Sequence, residues 1–179
     1  MERRILQPEQ IIVPGEYELG NESILKIYFR VFDRGHGEDL PPTLVTHKSK
    51  INPSYLRGRY DEGYHPNEFY QKLMDSEAEY LLLDGNHKSV AATLRHSPIY
   101  SLDLEDRADV GKARKMVRNG ELFDFPHEGD SLVEIANSFI TYIFQDEVIM
   151  TVRERVDKLT SNGDLPKYMK DRYLRRQRF

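Results

Sequence analysis

The sequence predicts an α/β fold, a small mixed sheet with helices packed on it, followed by a helical C-terminal extension. Three observations predict it. Short apolar or β-branched runs (Thr43 to Thr46, Glu79 to Leu83, Ile99 to Leu104) are separated by stretches whose apolar residues recur at helical spacing. Pro, Gly, Asn and Asp punctuate the boundaries between the two kinds of segment. From Asp130 onward the strand-like runs stop and helical stripes alone remain. A first domain is therefore placed at residues 1–125 and the extension at residues 126–179.

Residues 5–13 read as a strand broken at Pro8, and Pro14-Gly15 as a turn. Asn21 is placed to cap a helix over 22–33, whose Ile24, Leu25, Tyr28, Phe29 and Phe32 make one apolar face. Gly35-His36-Gly37 ends it, and Pro41-Pro42 introduces the strand at Thr43. Residues 47–66, with Pro53, Gly58 and Gly63, read as a surface loop. A helix over 67–76 precedes the apolar strand ending at Leu83. Asp84-Gly85-Asn86 stops that strand, and Val90, Ala91 and Leu94 mark a short helix over 87–96. The strand at 99–104 and a helix at 109–117 follow, the latter closed by Asn119-Gly120. Helices are then expected over 131–145, over 148–159 with Asn162-Gly163 as its stop, and from Leu165-Pro166 to the end.

At 179 residues the chain has the size of one domain with a small appendage and can bury a core without disulfide or metal staples. It has no Cys, which excludes disulfides, cysteine zinc sites, iron–sulfur clusters and every thiol mechanism. With 26 Lys and Arg against 30 Asp and Glu, the net charge is −4, which argues against a protein that coats DNA by bulk charge. Only Ile5 and Leu6 follow the basic start, too few for the apolar region of a signal peptide. No window approaches the ~18 apolar residues needed to span a bilayer. The expectation is a soluble cytoplasmic protein that does not engage membranes.

The stretch richest in chemistry is Tyr80 to Ala92: a buried strand, a tight glycine turn, then a helix that begins with small and polar residues. The first N–H groups of a helix have no intrahelical partner, and the macrodipole adds about half a positive charge there. Gly85 lets backbone approach a ligand closely. His87, Lys88 and Ser89 can add donors, and Asp84 stands at the strand end, where α/β sites often gather. The same residues also read as an ordinary turn with Asp84 or Asn86 capping the helix.

Asp84-Gly85-Asn86-His87-Lys88-Ser89, followed by Ala91-Ala92, resembles the signature of the ParB N-terminal/sulfiredoxin-like superfamily, to which ParB-like nuclease domains belong. Members commonly show Asp-Gly-His-His-Arg, Gly-Cys-His-Arg or Gly-x-x-Arg at this strand–helix junction. The order of flanking elements is similar over about residues 5–120: a strand ending near Pro14, the helix at 22–33, the strand Pro42 to Val45, and the strand at 99–104. Lys88 stands where the family usually has Arg, which keeps the charge and loses the bidentate grip on phosphate. Asn86 stands where sulfiredoxins carry their catalytic Cys, so sulfiredoxin chemistry is excluded. Partition proteins of the superfamily add a helix-turn-helix and an Arg-rich CTP contact, and the C-terminal stretch shows no recognition-helix pattern.

The branch most similar in motif is that of the free-serine kinases, which pair an Asp-Gly-x-His motif with a catalytic Glu after a Pro near the N-terminal strand. Glu16, in Pro14-Gly15-Glu16, suits that position, with Glu9 and Glu18 as competitors. The resemblance implies phosphoryl transfer from ATP or ADP, with Mg²⁺, to a small hydroxyl-bearing substrate. Gly85, Asn86, His87, Lys88 and Ser89 would hold the phosphates, and Glu16, Asp84 and His87 would be catalytic. The alternatives are a ParB-like nucleic-acid-binding or nuclease module, and a nucleotide-binding regulator without catalysis.

Other features have plainer readings. Asp103, Glu105, Asp106 and Asp109 read as caps and solvated charge ahead of a magnesium site. His36, His47, His65 and His127 lie too far apart for a local zinc motif. The basic, aromatic stretch from Lys48 to Arg59 reads as a surface loop, with nucleic-acid stacking or a cap over the nucleotide as alternatives. Arg172, Arg175, Arg176 and Arg178 are candidate nucleic-acid contacts, weighed against a frayed basic helix end. Phe139, Tyr142 and Ile143 read as core or as a homodimer surface.

Overall fold

A computed structural model describes residues 1–13, 19–52, 66–125, 129, 131–145 and 148–176. For 66–69, 139–145 and 176 the backbone alone is described. These residues form a mixed six-stranded sheet with helices on both faces. The strands are β1 (Glu2–Leu6), β2 (Ile11–Val13), β3 (Thr43–His47), β4 (Tyr80–Asp84), β5 (Ile99–Asp103) and β6 (Met150–Thr151), in the order β1-β5-β3-β4-β2-β6. The helices are α1 (Glu22–Asp33), α2 (Pro66–Asp75), α3 (Asn86–Leu94), α4 (Arg107–Arg118), α5 (Leu132–Gln145), α6 (Val152–Asn162) and α7 (Lys167–Arg176). β3 runs parallel to β5 and antiparallel to β4, while β2 runs parallel to β4 and antiparallel to β6. None of the helices is long and apolar enough to cross a membrane, among the described residues.

The alternation along β4 explains why Leu81-Leu82-Leu83 is apolar throughout. Leu81 and Leu83 join a core with Ile12, Leu44, Leu102, Val110 and Ile135, beneath α4 and α5. Tyr80 and Leu82 face the other way and pack with Val13, Val45, Phe29, Val90, Val156 and Tyr173, beneath α1, α3, α6 and α7. A strand covered on both faces needs no polar side.

Pro8 breaks the first strand-like run, and the two halves go to distant places in the sheet. β1 pairs with β5 at one edge, while β2 lies between β4 and β6. Leu6 and Ile11 are only five Cα steps apart, at most about 19 Å, and a 3₁₀ turn over Pro8–Gln10 shortens that link. Four strand spacings in a flat sheet would need about that full length, so the sheet curls. The Arg4 guanidinium of β1 accordingly lies over the Tyr80 ring of β4, 5.6 Å from its centroid.

The C-terminal part is built into this body. β6, which sequence periodicity absorbs into a helix over 148–159, adds the sixth strand through Ile12↔Thr151 and Val13↔Met150. Thr151 then caps α6, its hydroxyl accepting from Glu154 N at 3.2 Å while Glu154 returns a bond to Thr151 N. Met169 and Tyr173 of α7 are fully buried in the core that also holds Leu6 and Phe29. The basic C-terminal segment is thus a packed helix through Arg176. Tyr173 donates to Asp157 at 2.7 Å and accepts from Arg153 at 3.0 Å.

Because this core spans both ends of the chain, Met169→Ala should lower stability by about 2–5 kcal/mol. Urea unfolding followed by circular dichroism should show one transition at a lower midpoint. A separate transition for the C-terminal helices would contradict the shared core.

Candidate functional site

The strand–helix junction at 84–89 is shaped by one glycine. Gly85 is the N-cap of α3 with φ +105°, a conformation that favours glycine. A Cβ built there would lie 2.6 Å from Thr43 Cγ2 and 2.9 Å from Thr43 Cβ. Thr43 cannot easily yield, since it is buried and its hydroxyl is 2.7 Å from Ser101 Oγ. The ladder between β3 and β4 also slips between Leu44 and Val45, beside Asp84, a kind of irregularity common next to functional sites.

With glycine at the N-cap, no side chain caps α3. Neither Asp84 nor Asn86 is the cap, in contrast to the plain turn reading. The first helical bond closed at this end is Ser89 N to Gly85 O, 2.9 Å. The N–H groups of Asn86, His87 and Lys88 precede it in the first turn, where intrahelical acceptors are lacking.

These groups border a cleft of about 350 Å³ whose wall, among the described residues, is made by Asp84, Gly85, Asn86, His87, Lys88 and Arg155 with Leu19, Ile24, Tyr28, Phe123 and Asp124. That volume lies at the small end of ligand sites. Of the expected site residues, the cleft brings together Asp84, Gly85, Asn86, His87 and Lys88. Ser89 is fully buried, and its hydroxyl donates to Asn86 O at 2.9 Å, inside the helix. Glu16 and Glu18 lie outside the described residues. Glu9 does not line the cleft, and its carboxylate accepts from Arg153 at 2.7 Å.

Three basic side chains surround the junction, each altered by burial. Lys88 is 5% exposed, and its ammonium donates to Pro41 O at 2.8 Å and Pro42 O at 2.9 Å. Burial pushes its pKa down to about 8, with the Asp84 charge opposing that shift. Arg155, on α6, is 3% exposed and donates to Asn86 Oδ1 at 3.2 Å. Burial lowers its pKa to about 10, still well above neutral. His87 is pushed below the ordinary histidine value, first by burial and then by the Arg155 charge. It is therefore a neutral imidazole at pH 7, and its Nε2 is buried without a hydrogen-bond partner. That nitrogen is closed off as well as unpartnered, and the positive charge at the junction comes from Lys88 and Arg155.

Sequence reasoning missed Arg155 and Phe123 among the cleft residues, and also Asp124, Leu19, Ile24 and Tyr28, the last two of which it read only as the apolar face of a helix. Arg155 lies in an Arg-Glu-Arg run on an amphipathic helix, where an arginine ordinarily reads as solvated. Only the packing of α6 against α3 brings it to the site.

Several of the other sequence candidates are engaged elsewhere. Asp106 caps α4 by accepting from Asp109 N at 2.9 Å, Asp103 accepts from Arg4 at 2.9 Å, and Asp109 accepts from Lys112 at 2.8 Å. Among the described residues no group of three or more His, Asp and Glu could hold a metal ion, and His65 and His127 lie outside them. Lys48 is buried and donates to Met74 O at 2.8 Å, tying down the end of α2, and residues 53–59 of its loop lie outside the described residues. Arg172 pairs with Asp33, which also pairs with Arg95 at 2.8 Å. Arg175 is exposed. The Arg176 side chain, Arg178 and the side chains of Phe139, Tyr142 and Ile143 lie outside the described set. Set against family models, curated proteins and solved structures, the chain matches none of them.

Two outcomes follow from this geometry. Gly85→Ala should destabilise by about 2–4 kcal/mol, from the left-handed backbone and the clash with Thr43, as read by urea unfolding. Lys88 has a folded pKa of about 8 against 10.5 in the ordinary state, so between those values the unfolded chain binds more protons. The Lys88 contribution to stability is therefore lowest below pH 8 and rises as pH goes from 8 to 10.5. Subtracting the pH profile of Lys88→Met from that of the wild type should show a rise of about 3 kcal/mol. A flat difference would contradict the burial of a charged ammonium.

Proposed function

We propose that this cleft binds the phosphates of a nucleotide and that the protein is a phosphotransferase, moving phosphate from ATP or ADP to a small hydroxyl substrate. The observation that carries this reading is the uncapped start of α3, open to a cleft that two buried cations, Lys88 and Arg155, adjoin. Helix N–H groups, the positive end of the dipole and buried cations all favour the same ligand, an anion rich in acceptor oxygens. The likeness of Asp84 to Ser89 to the free-serine kinase signature supports the phosphoryl-transfer half.

Phosphoryl transfer needs little covalent help from protein, so catalysis is mostly positioning and charge stabilisation. The amides of Asn86 to Lys88 would hold the phosphates in place. Arg155 and Lys88 would stabilise negative charge as it moves to the leaving group, and His87, neutral, would donate a hydrogen bond. Asp84 or Glu16 would orient the acceptor hydroxyl and take its proton. Mg²⁺ that travels with a nucleotide is usually held by its phosphates and one or two carboxylates. Asp84 and Asp124 on the cleft wall are carboxylates of that kind.

Thermal unfolding with ADP, ATP, CTP and AMP, each with and without Mg²⁺, tests the reading. A ligand at ~100 times its Kd adds about 2.7 kcal/mol, or roughly 5–10 °C for a chain of this length. That shift should vanish in Arg155→Met, and Asp84→Asn should keep it while losing turnover with small hydroxyl acceptors. No shift with any nucleotide would overturn the proposal. A shift with CTP alone would redirect it toward the partition-protein branch.

A further inference from the structure

The cleft wall also carries side chains that phosphate binding does not use. These are the apolar and aromatic Leu19, Ile24, Tyr28 and Phe123. Phe123 is 63% exposed, although Leu122 and Phe125 on either side of it are buried. The backbone that carries it is anchored to the end of α4: Glu121 N donates to Met116 O at 2.9 Å and Leu122 N to the same oxygen at 3.4 Å. A large apolar ring is therefore held out at the cleft mouth on a fixed support.

Two side chains lie against the ring, and the rest of it is open. Tyr28 of α1 lies 6.3 Å away between centroids, tilted by 51°. That is an aromatic pair in contact, too close to admit a third ring between them. The Lys88 ammonium stands 5.9 Å from the Phe123 centroid, so the ring adjoins the proposed phosphate site. We propose that Phe123, backed by Tyr28, is the platform on which the planar base of the nucleotide stacks while its phosphates occupy the start of α3. The inference rests on the phosphate reading of the same cleft and adds where the rest of the ligand goes. Stacking uses the face that every base possesses, so ADP, GDP and CDP should bind alike on this platform.

Calorimetric titration of the full chain with inorganic pyrophosphate and with ADP, each with Mg²⁺, separates the phosphates from the base. ADP should bind about tenfold or more tightly than pyrophosphate. Phe123→Ala should remove that advantage and leave pyrophosphate affinity unchanged, which also shows that Lys88 has not moved. Phe123→Trp should keep the advantage. The chain has no other Trp, so ADP should quench that single indole and pyrophosphate should not. If pyrophosphate binds and ADP is no tighter, or Phe123→Ala leaves the advantage intact, the platform is overturned and the phosphate site stands. If neither ligand binds, both readings fall.

Discussion

The site depends on a backbone contact that permits no side chain. Gly85 crosses from β4 to α3 in a left-handed conformation pressed against Thr43. That crossing points the start of α3 into the cleft, and it removes the side chain that would otherwise cap the helix. The same residue thus sets the geometry and leaves the N–H groups available. Thr43 is itself held by Ser101 of the neighbouring β5, so the junction rests on three adjacent strands.

Burial of charge is the second constraint. Lys88 gives up most of its hydration for two carbonyl oxygens of the Pro41-Pro42 segment, and its depressed pKa records the cost. Arg155 is buried against the same helix from α6. An anion in the cleft would offset part of that cost, which couples occupancy to the packing of α6 and of the Pro41-Pro42 segment that leads into β3. The C-terminal helices matter to the site for this reason, since one of them carries a cation into it.

Elements whose signals are local were legible in the sequence. Asn21 at the start of α1, the stripe along it and the glycine stop after α6 are short-range features, and the structure shows each of them. The junction at Asp84-Gly85-Asn86 was legible as a turn opening a helix, although the cap proved to be Gly85 itself. Features set by distant pairing were not. β6 has two residues, too few to show a period, and it is a strand because β2 offers it an edge. The break in residues 5–13 shows in Pro8, but that its two halves go to strands far apart in the sheet is set by their pairing partners, which no local pattern records. Arg155 and Phe123 carry no motif, because one reaches the site by helix packing and the other differs from a core phenylalanine only in its exposure.

Anion binding at the start of α3 is read at the amides themselves. In ¹⁵N-resolved NMR spectra of the full chain titrated with inorganic pyrophosphate, the N–H signals of Asn86, His87 and Lys88 should move together and saturate. Those of α4, on the opposite face of the sheet, should stay in place. If the three amides remain fixed while the ligand saturates elsewhere, or at no concentration, the start of α3 is not an anion site.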